Sequence, residues 1–359
     1  MRDPVYKQMR EDFKKAAIES KTPILGHYEL TARCNLDCRM CYVHNENNAQ
    51  YMKRELTTEQ WKRIFDEAIE CELLYASLSG GECLLRKDFK ELYLHLWSKN
   101  IFVTVLTNGT LINDDYVEFF KTYPPDMIQI SLYGSNEDAY CNVTGHKGFE
   151  KTVWAIEALG KAGIDVRVVI SPSKFMYDDF VNIWKLAREK KFYTVNNDIM
   201  VLPNRDDRDK DDHYLTVDEI VSLSVQRAEL KAPLTPCENP PRPCGRMCEE
   251  PTKGLTCNAG NCLANVTWDG KMYPCISAMI GDGFSLLEMS YAEAWKKTVE
   301  VASTVVHGVE CVGCPYDKIC ASCPSFRLQD MHSGHCNPSL CELTHKLVAA
   351  GVKKLKPVE

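Results

Sequence analysis

Ala32-Arg33-Cys34-Asn35-Leu36-Asp37-Cys38-Arg39-Met40-Cys41-Tyr42 follows directly on a β-like run, His27–Thr31. A C-x3-C-x2-C spacing can gather three thiolates around one inorganic centre. A four-iron cluster closed by protein takes four cysteines, so three leave one iron open to bind another molecule. Zinc is the alternative reading, but zinc sites bring four ligands in two paired knuckles. No second knuckle adjoins this triad, although one further along the chain stays open.

Outward from the triad, short apolar runs alternate with amphipathic helical patterns. The strands expected are His27–Thr31, Tyr75–Ser79, Phe102–Thr107, Met127–Leu132, Asp165–Ser171 and Val195–Leu202. The helices expected between them are Thr58–Cys71, Lys87–Ser98, Asp114–Tyr123, Phe149–Ala162 and Tyr177–Lys190. Strands that are nearly continuous apolar runs suit a parallel sheet covered by helices. Six such βα repeats in right-handed crossover make an α/β partial barrel, a (β/α)6, two units short of a closed one. In folds of this kind the chemistry gathers at the C-terminal ends of the strands, where the triad lies. At the same ends come Ser79-Gly80-Gly81-Glu82, Thr107-Asn108-Gly109-Thr110 and Ile130-Ser131-Leu132-Tyr133-Gly134. Paired glycines let a backbone approach a ligand closely, and they also make ordinary turns.

The chain has 359 residues, 18 cysteines and a formal net charge of −7. That charge disfavours a nucleic-acid-binding surface. The first residues are charged, unlike a secretory signal, and no apolar run approaches the length of a membrane span. So rich a cysteine content in a chain read as cytoplasmic points to metal rather than disulfides. The run Asp206–His213 reads as a solvated loop, and residues 231–256, rich in Pro, Cys and Gly, read as a linker. The nine cysteines from Cys257 onward accompany too few apolar repeats for a large core, as in segments held together by metal. The expected organisation is an N-terminal helical extension (1–26), the partial barrel (27–205), a bridging region (206–256) and a small cysteine-rich domain (257–359).

The triad and the strand-end motifs together resemble the radical S-adenosylmethionine (radical SAM) enzymes. The resemblance implies a [4Fe-4S] cluster on Cys34, Cys38 and Cys41 whose open iron chelates S-adenosylmethionine, with Met40 at the family's apolar position. Gly80, Gly81 and Glu82 match its GGE motif, which contacts the cofactor's amino group. Asn108 takes a supporting role, and Ser131 reaches the ribose or the carboxylate. One-electron reduction of the sulfonium yields a 5′-deoxyadenosyl radical that abstracts hydrogen. The residues give no catalytic acid or base.

Further along, Cys257, Cys262, Gly270 and Cys275, then Cys311-x2-Cys314-x5-Cys320-x2-Cys323 and finally Cys341, resemble the SPASM extension of this family. Two residues separate Cys320 from Cys323 where three are usual. The resemblance implies two auxiliary [4Fe-4S] clusters, three in all. Cys257, Cys262, Cys275 and Cys323 would hold one; Cys311, Cys314, Cys320 and Cys341 the other. Electron transfer, scaffolding and zinc stay open for these sites, as does Cys336 in place of Cys341. Cys237, Cys244 and Cys248 fall in the linker without an assigned role. SPASM enzymes act mainly on peptides and proteins, so the expected activity is peptide maturation. The alternative is a radical dehydrogenase of a small alcohol, sugar or amino compound. Formylglycine formation is disfavoured because Ile276 stands where those maturases have an aspartate, and a non-catalytic metal protein is the remaining reading. Partners implied are a peptide or small-molecule substrate and a one-electron donor such as flavodoxin or ferredoxin. About 25 residues before the first strand are too few for a leader-binding domain, so a separate leader-binding protein or the barrel itself would recognise a leader.

Overall fold

The computed structural model describes residues 4–43, 52–196, 214–230, 254–255, 257–305, 338–353 and the isolated residues 316, 319 and 320. Two compact units interleave along the chain. The first comprises residues 1–33, 46–105 and 253–306; the second comprises 34–45, 106–252 and 307–359.

The first unit opens with α1 (Pro4–Ser20). It continues with β1 (Leu25–Glu29), α2 (Thr58–Glu70), β2 (Tyr75–Ser79), α3 (Phe89–Trp97) and β3 (Phe102–Thr107, as far as Val105 in this unit). Helix α2 starts where its sequence says it should. Thr57 accepts from the Gln60 amide while the Gln60 side chain takes the Thr57 N–H, so two orphan donors of the first turn are satisfied. Its apolar residues recur at helical spacing, and Trp61, Ile64, Phe65 and Ala68 are buried. Tyr28 of β1 meets Phe65 and Trp61 edge-on, with ring centroids 5.0 and 6.2 Å away. The strands run parallel, with Tyr75 opposite both Leu25 and Phe102.

The far edge of β1 is not open. Strand β7 (Leu263–Val266), from the cysteine-rich part of the chain, pairs parallel with it, Leu25 opposite Leu263. β8 (Lys271–Tyr273) and β9 (Phe284–Ser285) follow antiparallel, giving the order β3-β2-β1-β7-β8-β9. Gly270, at φ +84°, makes the tight turn between β7 and β8. Helix α9 (Tyr291–Ser303) packs on α2, where Glu67 accepts the Tyr291 N–H at 2.8 Å.

The second unit holds α4 (Asp114–Thr122), β4 (Met127–Ser131), α5 (Glu137–Thr144), α6 (Phe149–Lys161), β5 (Val166–Ile170), α7 (Phe180–Glu189), β6 (Thr194–Asn196), α8 (Val217–Glu229) and α10 (Pro338–Ala349). β4, β5 and β6 are parallel neighbours with α6 packed on β5, and α10 packs on α8. The βα alternation expected from the sequence is present in both units. One expected helix is split: Lys174–Asp179 is a 3-10 turn, and the α-helix begins at Phe180. The Asp206–His213 run lies outside the described residues. No described helix is long and apolar enough to cross a membrane.

Candidate functional site

The cysteine loop belongs to the second unit and is built from alternating anchors. Leu36, Met40 and Val43 are buried, while Cys34, Cys38 and Cys41 between them remain partly exposed. Met40 is therefore an apolar peg of the loop. The backbone is tied to the end of α5: Asp37 N–H donates to the Thr144 carbonyl at 2.8 Å and Arg39 N–H to that of Val143 at 3.0 Å. Gly145 then turns the chain at φ +73°, where a Cβ would press on Asp37 at 3.3 Å. The Arg39 guanidinium lies 3.6 Å from the centre of the Phe175 ring.

A closed ring of three side chains supports the first cysteine. Asn108 Nδ2 donates to Asn35 Oδ1 (2.9 Å), Asn35 Nδ2 to Thr110 Oγ1 (2.7 Å) and the Thr110 hydroxyl to Asn108 Oδ1 (2.6 Å). Asn108 Nδ2 also lies 3.9 Å from Cys34 Sγ. Asn108 is thus placed beside the cysteine loop, and Asn35 and Thr110 are functional candidates that sequence reasoning passed over. Their signal was present, since both sit inside quoted motifs, but polar side chains in a turn are common. Replacing Asn108 with alanine should cost about 1–3 kcal/mol, because it leaves Asn35 and Thr110 with unmet partners in a mostly buried place. Chemical denaturation of N108A and N108D measures that loss, and an unchanged midpoint in both would remove the ring's role.

The donor set fits an iron–sulfur cluster. Burial pushes the Cys38 thiol well above its usual range, and neighbouring Cys41 and Cys34 push it further. Three thiolates so placed repel one another unless a positively charged centre binds them. Among the described residues no three His, Cys, Asp or Glu side chains converge tightly enough to hold a single metal ion. Tyr133, beyond Ser131 at the end of β4, faces the same thiols. Burial raises its phenol far above the ordinary range, Cys38 adds to the rise, and a hydrogen bond with Ser131 opposes it.

In the first unit, Gly80-Gly81-Glu82 docks on the segment that leads into Cys34. Gly81 N–H donates to the Thr31 carbonyl at 2.7 Å and Glu82 N–H to that of Arg33 at 2.8 Å. A Cβ on Gly80 would lie 2.4 Å from the Thr31 oxygen, and one on Gly81 2.3 Å from that of Arg33. The glycines are demanded by this backbone contact, a reason the sequence did not disclose. Glu82 is fully buried and its Oε1 accepts from Leu84 N–H at 3.0 Å, capping a 3-10 turn, Cys83–Leu85.

The second cysteine block is only partly described. Cys257 and Cys275 are partly exposed; Cys262 is fully buried with Ala17 and Ile24, its Sγ 3.6 Å from Asn258 Oδ1. In the second unit, Thr344 on α10 donates to Cys320 Sγ at 3.7 Å, and Cys341 Sγ lies 3.9 Å from His345 Nε2. Cys237, Cys244, Cys248, Cys311, Cys314, Cys323 and Cys336 lie outside the described residues.

Known proteins agree with this architecture. Residues 28–173 match the Radical SAM superfamily. The AdoMet-dependent heme synthase of Methanosarcina barkeri is 26% identical over 324 residues, 85% of this chain and 92% of that protein. The subtilosin biosynthesis protein AlbA of Bacillus subtilis is 34% identical over 155 residues, 43% of this chain but only 34% of AlbA. The crystal structure of Streptococcus suis SuiB bound to S-adenosylmethionine superposes with a TM-score of 0.67 at 17% identity, covering 95% of this chain and 84% of SuiB. SuiB bound to its precursor peptide SuiA gives 0.65 at 16%, covering 95% and 82%. The fold is that of a radical SAM enzyme. Residues 28–173 carry a domain matching the Radical SAM superfamily, a class of enzymes that use S-adenosylmethionine and a [4Fe-4S] cluster, and the chain is an enzyme.

Proposed function

We propose that this radical SAM enzyme modifies a peptide substrate. The observation that carries the radical chemistry is the gathered triad Cys34, Cys38 and Cys41, a donor set suited to an open cluster. When bound, the reduced cluster and S-adenosylmethionine supply a 5′-deoxyadenosyl radical able to take hydrogen from an unactivated carbon. The chain's residues do the rest. The Asn108–Asn35–Thr110 ring orients the start of the cysteine loop, Glu82 accepts from the cofactor's amino group, and Ser131 takes its ribose or carboxylate. The peptide class is supported by AlbA and by the fold shared with SuiB, which has been solved with SuiA. The C-terminal cysteines, in this reading, form a SPASM domain with two auxiliary clusters, and a small one-electron donor reduces the enzyme.

Coverage favours a second reading. The chain spans nearly the whole heme synthase but less than half the length of AlbA. A haem precursor is therefore the alternative substrate. Anaerobic incubation of the reconstituted protein with dithionite, S-adenosylmethionine and either a short peptide encoded beside its gene or an iron porphyrin separates the two. The expected product is a peptide of altered mass alongside 5′-deoxyadenosine. An unaltered peptide, with the iron porphyrin converted instead, would overturn the first reading in favour of the second.

A further inference from the structure

We infer that Glu55 is a positioning residue for the S-adenosylmethionine clamp, an inference that rests on the radical SAM reading above. Its carboxylate lies within the first unit, is 7% exposed, and is spent on one task. Arg33 offers it a fork: Nε lies 3.1 and 3.2 Å from its two oxygens, and Nη2 donates to Oε2 at 3.0 Å. The Thr31 hydroxyl donates to Glu55 as well, and accepts the Arg33 N–H at 3.1 Å. Thr31 and Arg33 are the residues whose carbonyls seat Gly81 and Glu82. One carboxylate thus fixes both side chains of the platform on which the Gly80-Gly81-Glu82 turn stands.

Glu55 is itself held rigidly, as a positioning group must be. It lies two residues before the Thr57 cap of α2. Next to it, Leu56 N–H donates to the Trp268 carbonyl at 3.2 Å. The Leu56 carbonyl accepts from buried Arg86 at 3.1 Å, and Arg86 also donates to the Leu30 carbonyl at 3.0 Å. Arg54 completes the bracket by pairing with Asp269 at 3.2 Å. The turn between β7 and β8 therefore buttresses the same segment that orients the clamp. A forked, mostly buried arginine–carboxylate pair supplies geometry that a single-point contact does not.

The test is equilibrium binding of radiolabelled S-adenosylmethionine to the iron-loaded protein, with iron content and thermal midpoint measured in parallel. E55Q should weaken binding about tenfold while iron content holds, since it removes one charge-assisted fork. E55D, which keeps the charge, should recover to within about threefold of wild type, and R33K should fall between. In turnover, E55Q should raise KM for S-adenosylmethionine and leave kcat at saturation nearly unchanged. Binding by E55Q within about twofold of wild type would overturn the inference. So would weakened binding that tracks lost iron or a lowered midpoint, which marks a purely structural residue. No binding by the wild type would instead defeat the radical SAM reading, and this inference with it.

Discussion

Replacing Cys34, Cys38 and Cys41 together by alanine is expected to abolish release of 5′-deoxyadenosine from S-adenosylmethionine. It should also lower the iron retained after anaerobic reconstitution. The loss should be complete because the three thiols act as one donor set. A four-iron cluster bound by three cysteines already lacks one protein ligand, and any further loss leaves it held at two corners. C38A alone should therefore approach the triple variant. Cys38 is costly as a free thiolate, since burial and both neighbouring cysteines oppose its charge, so it gains from a bound cluster. Cys71 is the control. It caps the end of α2, its thiol is raised by burial and nearby glutamates, and C71A should keep both iron and cleavage. Iron analysis with product chromatography reads both outcomes. Retained cleavage in the triple variant would remove the assignment of the triad.

The fold was legible wherever a strand is long and apolar. β2 and β3 run over the residues the sequence indicates, and α2 begins at its expected first residue, Thr58. Helix α5 was missed for a physical reason. It has eight residues, and its buried side chains are only Tyr140, Val143 and Thr144, too few for a periodic stripe. Its start was nevertheless written in Asn136, which accepts the Ala139 N–H, and in the acids that follow. Strands β7 to β9 have four, three and two residues, below the length at which alternation can be read. Nor does periodicity say that Leu263 pairs with Leu25, because a register across 238 positions is set by packing. At the site, the three thiols were readable as a candidate donor set from their spacing. The Asn108–Asn35–Thr110 ring and the Glu55–Arg33 fork were not, since each joins residues from separate segments whose proximity only the fold creates.

Substituting Gly81 by alanine should be among the most damaging single changes outside the cysteines. Its Cβ would sit 2.3 Å from the Arg33 oxygen and 2.6 Å from both the Arg33 carbon and the Ala32 oxygen. All three are backbone atoms, so no rotamer change relieves the clash. Two hydrogen bonds, from Gly81 to Thr31 and from Glu82 to Arg33, hold that backbone in place, and moving it away breaks them. Overpacking of this kind costs about 1–3 kcal/mol, and each lost bond adds about 1 kcal/mol. The displaced segment runs covalently into Cys34, so the change should also impair iron incorporation and S-adenosylmethionine binding. Gly160, in α6, gives the contrast. Nothing lies within 4 Å of its added Cβ, and G160A should be neutral or stabilising by up to about 1 kcal/mol. Thermal unfolding of the two variants side by side checks the argument. A G81A protein as stable as G160A, with full iron and undiminished binding, would mean that the backbone contact at Gly81 does not require glycine.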